Sequence, residues 1–310
     1  MNRTRLFPKV LWLFRVGGLA LLSFVLTACD HSGKIYEWDL PTHFPMPNSP
    51  TNPPMTQATV ELGRHLFYDT RLSINGRSSC ANCHHQSRAF TDALPRAVGA
   101  TGELHPRSAM SLTNVAYNTR FAWAHHLLDT LEAQALVPLF GENPVEMGLS
   151  GQEQRLLTTL GQDEKYQELF HKAFPDNESP FSVSNIARAI ADFERTLISA
   201  DAPYDRYLQG DETALSDSAK RGMNLFLSER LECFHCHGGF NFTDSTDHVN
   251  VGVQTVAFHN TGLYNLDDAG TYPSDNTGVY ELTHKPEDMG HFKAPTLRNI
   301  AVTAPYMHDG

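Results

Sequence analysis

Two short stretches decide how this chain is read: Ser79-Cys80-Ala81-Asn82-Cys83-His84 and Glu232-Cys233-Phe234-His235-Cys236-His237. Each pairs two cysteines across a two-residue gap and sets a histidine directly behind the second. On one helical turn that gap matches the separation of the two vinyl groups on one edge of a porphyrin, and the next residue then projects toward the metal. The pattern implies two covalently attached haem c groups. Cys80, Cys83, Cys233 and Cys236 would be the attachment points, and His84 and His237 the proximal iron ligands. Paired cysteines also build Cys₄ zinc cages, but zinc asks for no histidine behind each pair.

The residues ahead of each site repeat. Gly63-x-x-Leu66-Phe67 followed by Arg71-Leu72 precedes the first, and Gly222-x-x-Leu225-Phe226 followed by Arg230-Leu231 precedes the second, with the same internal spacing at an offset of 159 residues. Recurrence at one spacing implies two copies of one unit, each a short helix leading into a haem-binding loop. Between the sites, Ile186, Ile190, Phe193 and Leu197 recur at helical steps, and Ser182 or Ser184 could cap that helix. Weaker helical patterns cover 57–68, 129–140, 152–173 and 216–228. Residues 85–120 and 238–300 carry no regular pattern, and Ala202 to Leu208 reads as the link between the halves. The expected fold class is therefore mainly α with long loops.

The N-terminus differs from the rest. Arg3, Arg5, Lys9 and Arg15 precede the apolar run Val16 to Ala28, the charge-then-apolar order of a secretory leader, and the run is shorter than the roughly 20 residues a membrane span needs. Leu26-Thr27-Ala28-Cys29 resembles a lipoprotein-type signal peptide over residues 1–28, with Cys29 as the lipidated residue after cleavage. Residues 29–56, rich in Pro, Asn and Thr, read as a flexible linker. A periplasmic location follows, with membrane contact only through a lipid on Cys29, and secretion would expose unprotected thiols to oxidation. The formal charge of −11 becomes more negative once the basic leader is removed. Such a surface repels nucleic acid and favours basic or dipolar protein partners.

Further motifs carry a resemblance. They are Glu61-Leu62-Gly63-x-x-Leu66-Phe67, His105-Pro106-Arg107, Val145-Glu146-Met147, the stretch Asp201 to Leu208, and the ending Ala294-Pro295-Thr296-Leu297-Arg298-Asn299-Ile300 through Pro305-Tyr306-Met307-His308-Asp309-Gly310. From about residue 57 to 310 the chain resembles the bacterial dihaem cytochrome c peroxidases and, within that superfamily, the MauG-like enzymes that oxidise amino acids in partner proteins. The resemblance implies two cytochrome c-like haem domains. Residues 57–200 would be the N-terminal, peroxidatic one. Residues 201–310 would be the C-terminal, electron-transfer one, expected to be C-terminally truncated because family members continue past the position of Gly310.

By position, the resemblance makes the haem at His84 the site of hydrogen peroxide reaction and the haem at His237 a low-spin relay. Trp123 falls on the interhaem tryptophan, Glu146 on the distal carboxylate, and Gln134 and Pro138 on further distal-pocket positions. Heterolytic splitting of the peroxide O–O bond needs a proton moved from one oxygen to the other, which a carboxyl such as Glu146 can carry. Many relatives place a histidine after Val-Gly that blocks the peroxidatic iron. This chain has Val98-Gly99-Ala100, and alanine cannot ligate iron, so the first haem is expected to be open unless His105 takes the position. A calcium ion is implied between the haems, held by Thr303 and Pro305, with Ser108 where the family uses asparagine, a weaker neutral ligand. Met307 matches an aromatic packing residue rather than a haem ligand. Three functions are implied: a peroxidase fed by a small cytochrome or copper protein, a MauG-like enzyme acting on a protein substrate, and a non-enzymatic dihaem electron carrier.

Overall fold

Thr56 starts the first helix by a reciprocal cap. Its hydroxyl accepts the Thr59 N–H at 3.1 Å while the Thr59 hydroxyl accepts the Thr56 N–H at 3.0 Å. The helix that follows, α1 (Gln57–Phe67), buries Leu62, Leu66 and Phe67 completely. The computed structural model describes residues 33–50, 52–252 and 256–310, so the leader and Cys29 lie outside the described residues. After α1 come α2 (Cys80–Cys83), α3 (Leu131–Phe140), α4 (Glu153–Gly161), α5 (Glu164–Ala173), α6 (Val183–Arg195), α7 (Pro203–Leu208), α8 (Asp217–Phe226) and α9 (Tyr280–Thr283), among the described residues, with short 3₁₀ turns between the helices and after α9. Among the described residues there are isolated β-bridges and no strand. The expectation of a mainly helical chain with long loops holds.

Ser182 caps α6, its hydroxyl accepting the Asn185 N–H at 3.1 Å. The face carrying Ile186, Ala189, Ile190 and Phe193 packs into the main apolar core with α1, α3 and α5. The crossing of α1 on α6 is tight because position 63 is glycine: a Cβ there would overlap the Ala189 carbonyl. Its repeat counterpart Gly222 faces open space, and α8 buries none of its residues. The two copies of the repeat thus share a sequence pattern and differ in packing. The region 152–173 is two helices rather than one, α4 ending at Gly161 and Asp163 capping α5 through the Lys165 N–H at 2.9 Å. Glycine is a poor helix former and breaks the run there.

Two linker expectations are corrected by packing. The described part of the expected flexible tether lies against the body: Phe44 and Met55 are buried, the Tyr117 hydroxyl donates to the Pro45 carbonyl at 2.8 Å, and the Val249 N–H donates to the Met46 carbonyl at 2.9 Å. Composition read the segment as polar, and two apolar anchors outweigh that. Residues 203–208, within the expected link, form α7, which is pinned rather than loose. Asp205 receives a two-pronged hydrogen bond from Arg298, 2.8 Å on each prong, with both side chains buried. Burial pushes the Asp205 carboxyl up, and Arg298 outweighs it and holds it below the usual carboxylate range. Asn114, fully buried, joins the halves by donating to Asn241 Oδ1 at 3.1 Å, and within the first half it donates to the Ser199 carbonyl at 3.0 Å.

Candidate haem sites and distal pocket

Cys80 and Cys83 occupy the single turn of α2, and the His84 N–H closes it on the Cys80 carbonyl at 2.9 Å. Cys233 to His235 form a 3₁₀ turn, and the His237 N–H closes on the Cys233 carbonyl at 3.0 Å. In both, the ring Nδ1 meets a backbone carbonyl: His84 with Phe90 at 2.8 Å and His237 with Phe242 at 3.2 Å. A carbonyl only accepts, so each Nδ1 carries the proton and each Nε2 keeps its lone pair free. Metal-ligating histidines are held in this way. Two thiols per turn with an oriented imidazole behind them fit a covalently attached haem at each site. The four cysteines are unpaired, and among the described residues no three of their sulfurs gather within 4.8 Å, so a Cys₄ zinc cage is not assembled. Burial pushes the Cys83 thiol up to about 11 and the Cys80 thiol higher still, so neither is poised as a thiolate nucleophile.

A cavity of about 200 Å³ beside the first site is lined by Cys83, Asp92, Val98, Gly99, Ala100, His105 and Glu146. The backbone fixes its shape. The Ala100 N–H donates to the Glu146 carbonyl at 2.6 Å, and the Met147 N–H donates to the Pro138 carbonyl at 2.8 Å. Gly99 is required because a Cβ there would collide with the Val145 carbonyl. Burial pushes the Glu146 carboxyl up to about 7, which lets it give or take a proton near neutrality. His105 Nε2 is 3.9 Å from Glu146 Oε1. Gln134 lies half-buried on α3 and does not line this cavity.

A second cavity, about 320 Å³ and mostly apolar, contains Cys236 and His237 together with Trp123, Ser108, Lys293, Thr303, Pro305, Met307 and His308. Trp123 is held on both sides: its Nε1 donates to the Ser108 carbonyl at 2.9 Å, and its carbonyl accepts the Lys293 N–H at 2.7 Å. The three oxygen-bearing residues expected at calcium therefore line one cavity. The Ser108 hydroxyl is engaged by the Met307 carbonyl at 3.4 Å. Lys293 and His308 are among the residues of this cavity that the sequence did not single out. Lys293 is an ordinary polar residue in a loop, and nothing in its spacing signals that it is buried; His308 was seen only as part of the ending.

The di-haem cytochrome c peroxidase profile matches residues 57–213. The chain belongs to that family. Members of the family carry two c-type haems, in agreement with the two sites just described. The chain is 36% identical over 274 residues to the methylamine utilization protein MauG of Methylorubrum extorquens, covering 87% of this chain and 71% of that one. It is 34% identical over 296 residues to the cytochrome c551 peroxidase of Pseudomonas aeruginosa, covering 94% and 80%. Among solved structures, a MauG-like protein associated with microbial copper homeostasis superposes with a TM-score of 0.85 at 44% identity, covering 88% of this chain and 78% of that one. The expected membership and the two cytochrome c-like haem domains follow. The family includes both peroxidases and MauG-like proteins.

Proposed function

We propose that the chain is a peroxide-activating dihaem oxidoreductase in which hydrogen peroxide reacts at the first site, over Cys80, Cys83 and His84, and electrons reach that site past Trp123 from the second. The single observation that carries this is Glu146, a carboxyl raised to about 7 by burial, in the same cavity as the Cys83 attachment point. The haem bound there supplies the redox chemistry that takes up the oxidising equivalents of peroxide. Glu146 accepts the proton of one peroxide oxygen and returns it to the other, so that the leaving oxygen departs as water. His105 faces Glu146 across 3.9 Å. Trp123, fixed through Ser108 and Lys293, holds an aromatic ring in the second cavity. Each peroxide takes two electrons and two protons to give two waters.

The electrons come either from a small cytochrome or copper protein or from a side chain of a partner protein. Ala100 in place of a blocking histidine favours the second source, a MauG-like activity, because an iron left open at rest needs no prior reduction to admit peroxide. The relative of known structure with 44% identity is itself a MauG-like protein. In this reading Ser108, Thr303 and Pro305 hold a calcium ion, and the protein works in the periplasm tethered through Cys29, a reading supported by the charge-then-apolar order of residues 3–28. The test is turnover of peroxide by the dihaem protein with a reduced cytochrome, with a cupredoxin, and with neither but with candidate secreted partners analysed by mass spectrometry. Rapid oxidation of the cytochrome or cupredoxin supports the peroxidase arm, and a partner gaining mass only with peroxide supports the MauG-like arm. Failure to consume peroxide in every arm would overturn the proposal and leave an electron carrier.

A further inference from the structure

His308 is 3% exposed, stacks on Phe292 with ring centres 3.7 Å apart, and lines the cavity that contains Cys236 and His237. Its tautomer is dictated by a relay. Arg107 Nε donates to Asn276 Oδ1 at 2.8 Å, which fixes the amide so that Asn276 Nδ2 faces His308 Nδ1 at 2.9 Å. An amide nitrogen only donates, so Nδ1 accepts and Nε2 carries the proton, the Asp309 carboxylate lying farther from Nδ1, at 3.5 Å, and making no hydrogen bond to it. That Nε2 is buried and has no hydrogen-bond partner. The same cavity is lined by Lys293, 2% exposed, whose ammonium makes no hydrogen bond or ion pair among the described residues. Burial lowers its pKa to about 8, with Asp244 the countercharge that opposes this. Asp244 commits Oδ2 to His259 at 2.6 Å, while its buried Oδ1 has no hydrogen-bond partner and makes no ion pair with Lys293 within 4 Å.

A buried donor and a buried ammonium left without acceptors each cost free energy unless something in the cavity receives them. The cavity surface is mostly apolar, so these two donors, left without acceptors, constrain what it takes. We propose that Lys293 and His308 form a carboxylate-binding subsite in the second-haem cavity, the carboxylate being a propionate of the haem held by Cys233, Cys236 and His237. The assignment rests on the dihaem reading. The ammonium neutralises the propionate and the fixed Nε2–H donates to it, while Arg107 and Asn276 act only as positioning residues that set the tautomer. A free carboxylate is the other source of the same chemistry.

The experiment uses the full-length protein with both haems attached, confirmed by mass and by pyridine haemochrome, and reads the reduction midpoint of each haem by spectroelectrochemical titration. Lys293→Met should leave a negative charge uncompensated beside the second haem and favour its ferric state. We expect at least a tenfold shift in its reduction equilibrium, 59 mV downward for one electron, with the first haem unmoved. Lys293→Arg should restore the midpoint. His308→Phe keeps the stacked ring and removes the donor, and should shift the same midpoint in the same direction. If instead the wild-type midpoint moves with added acetate and the Lys293→Met midpoint does not, the subsite binds free carboxylate rather than propionate. Two haems present with unchanged second-haem midpoints in both variants and no acetate effect would overturn the subsite alone. Absence of the second haem from wild-type protein would overturn the dihaem reading itself.

Discussion

His105 Nε2 lies 3.9 Å from Glu146 Oε1, and the His105 ring is held in place because its Nδ1 accepts the Arg107 backbone N–H at 3.0 Å. The neutral ring therefore carries its proton on Nε2, the edge turned toward Glu146. A residue that the sequence offered only as a substitute iron ligand becomes a neighbour of the proposed acid–base group.

Glu146→Gln should slow the reaction with peroxide by about 10²-fold or more, as loss of a positioned proton carrier does. In the wild type the rate should rise with pH around a midpoint of about 7, because the carboxyl must be ionised to accept the first proton. The linkage to stability has the opposite direction. A carboxyl whose folded pKa lies above its unfolded value adds stability that is full below about pH 4 and is lost as pH climbs through about 7. Stopped-flow rates across pH check the first statement. Urea midpoints of wild type and Glu146→Gln at pH 4 and pH 8 check the second, the variant being flatter between them.

Ala100 predicts an open iron. Electron paramagnetic resonance of the ferric protein as isolated should show a high-spin, five-coordinate haem beside a low-spin one. Two purely low-spin haems would mean that a side chain closes the site, His105 being the histidine that lines this cavity.

The two repeat glycines should respond differently to one methyl group. Gly63→Ala forces a Cβ into the Ala189 carbonyl and should destabilise by about 1–3 kcal/mol, as overpacking does. Gly222→Ala meets open space within α8 and should stabilise by up to about 1 kcal/mol through helix propensity. Chemical denaturation of the two variants decides, and equal effects would contradict the difference in packing.

Arg298→Met strands the Asp205 carboxylate at a buried position. A loss of about 3–5 kcal/mol is expected, with much of it recovered in Arg298→Met/Asp205→Leu, where no unpaired charge remains. If the double variant is as unstable as the single one, packing of the Arg298 guanidinium between Phe44 and Phe242 matters more than its charge.

Much of the fold was legible where a local rule governs. Ser182 and the 186–193 periodicity announced α6, because an apolar stripe at helical spacing has one good use. The Cys-x-x-Cys-His turns were legible because their chemistry is confined to five consecutive residues. What was not legible depended on distant partners. The Pro-rich segment before α1 looked like a tether until Phe44 and Met55 were seen to be buried. Gln134 was carried over by position and lies outside the lining of the distal cavity, because its orientation depends on how α3 sits against its neighbours.

The sequence alone determined that two haem-attachment turns exist, that each histidine follows its turn, and that a repeat leads into both, since all of these are matters of spacing along the chain. Only the tertiary structure decided that Glu146 shares a cavity with Cys83, and that Lys293 and His308 are buried around His237. Burial and charge pairing come from residues that are far apart in the chain and near in space, and no spacing rule records them.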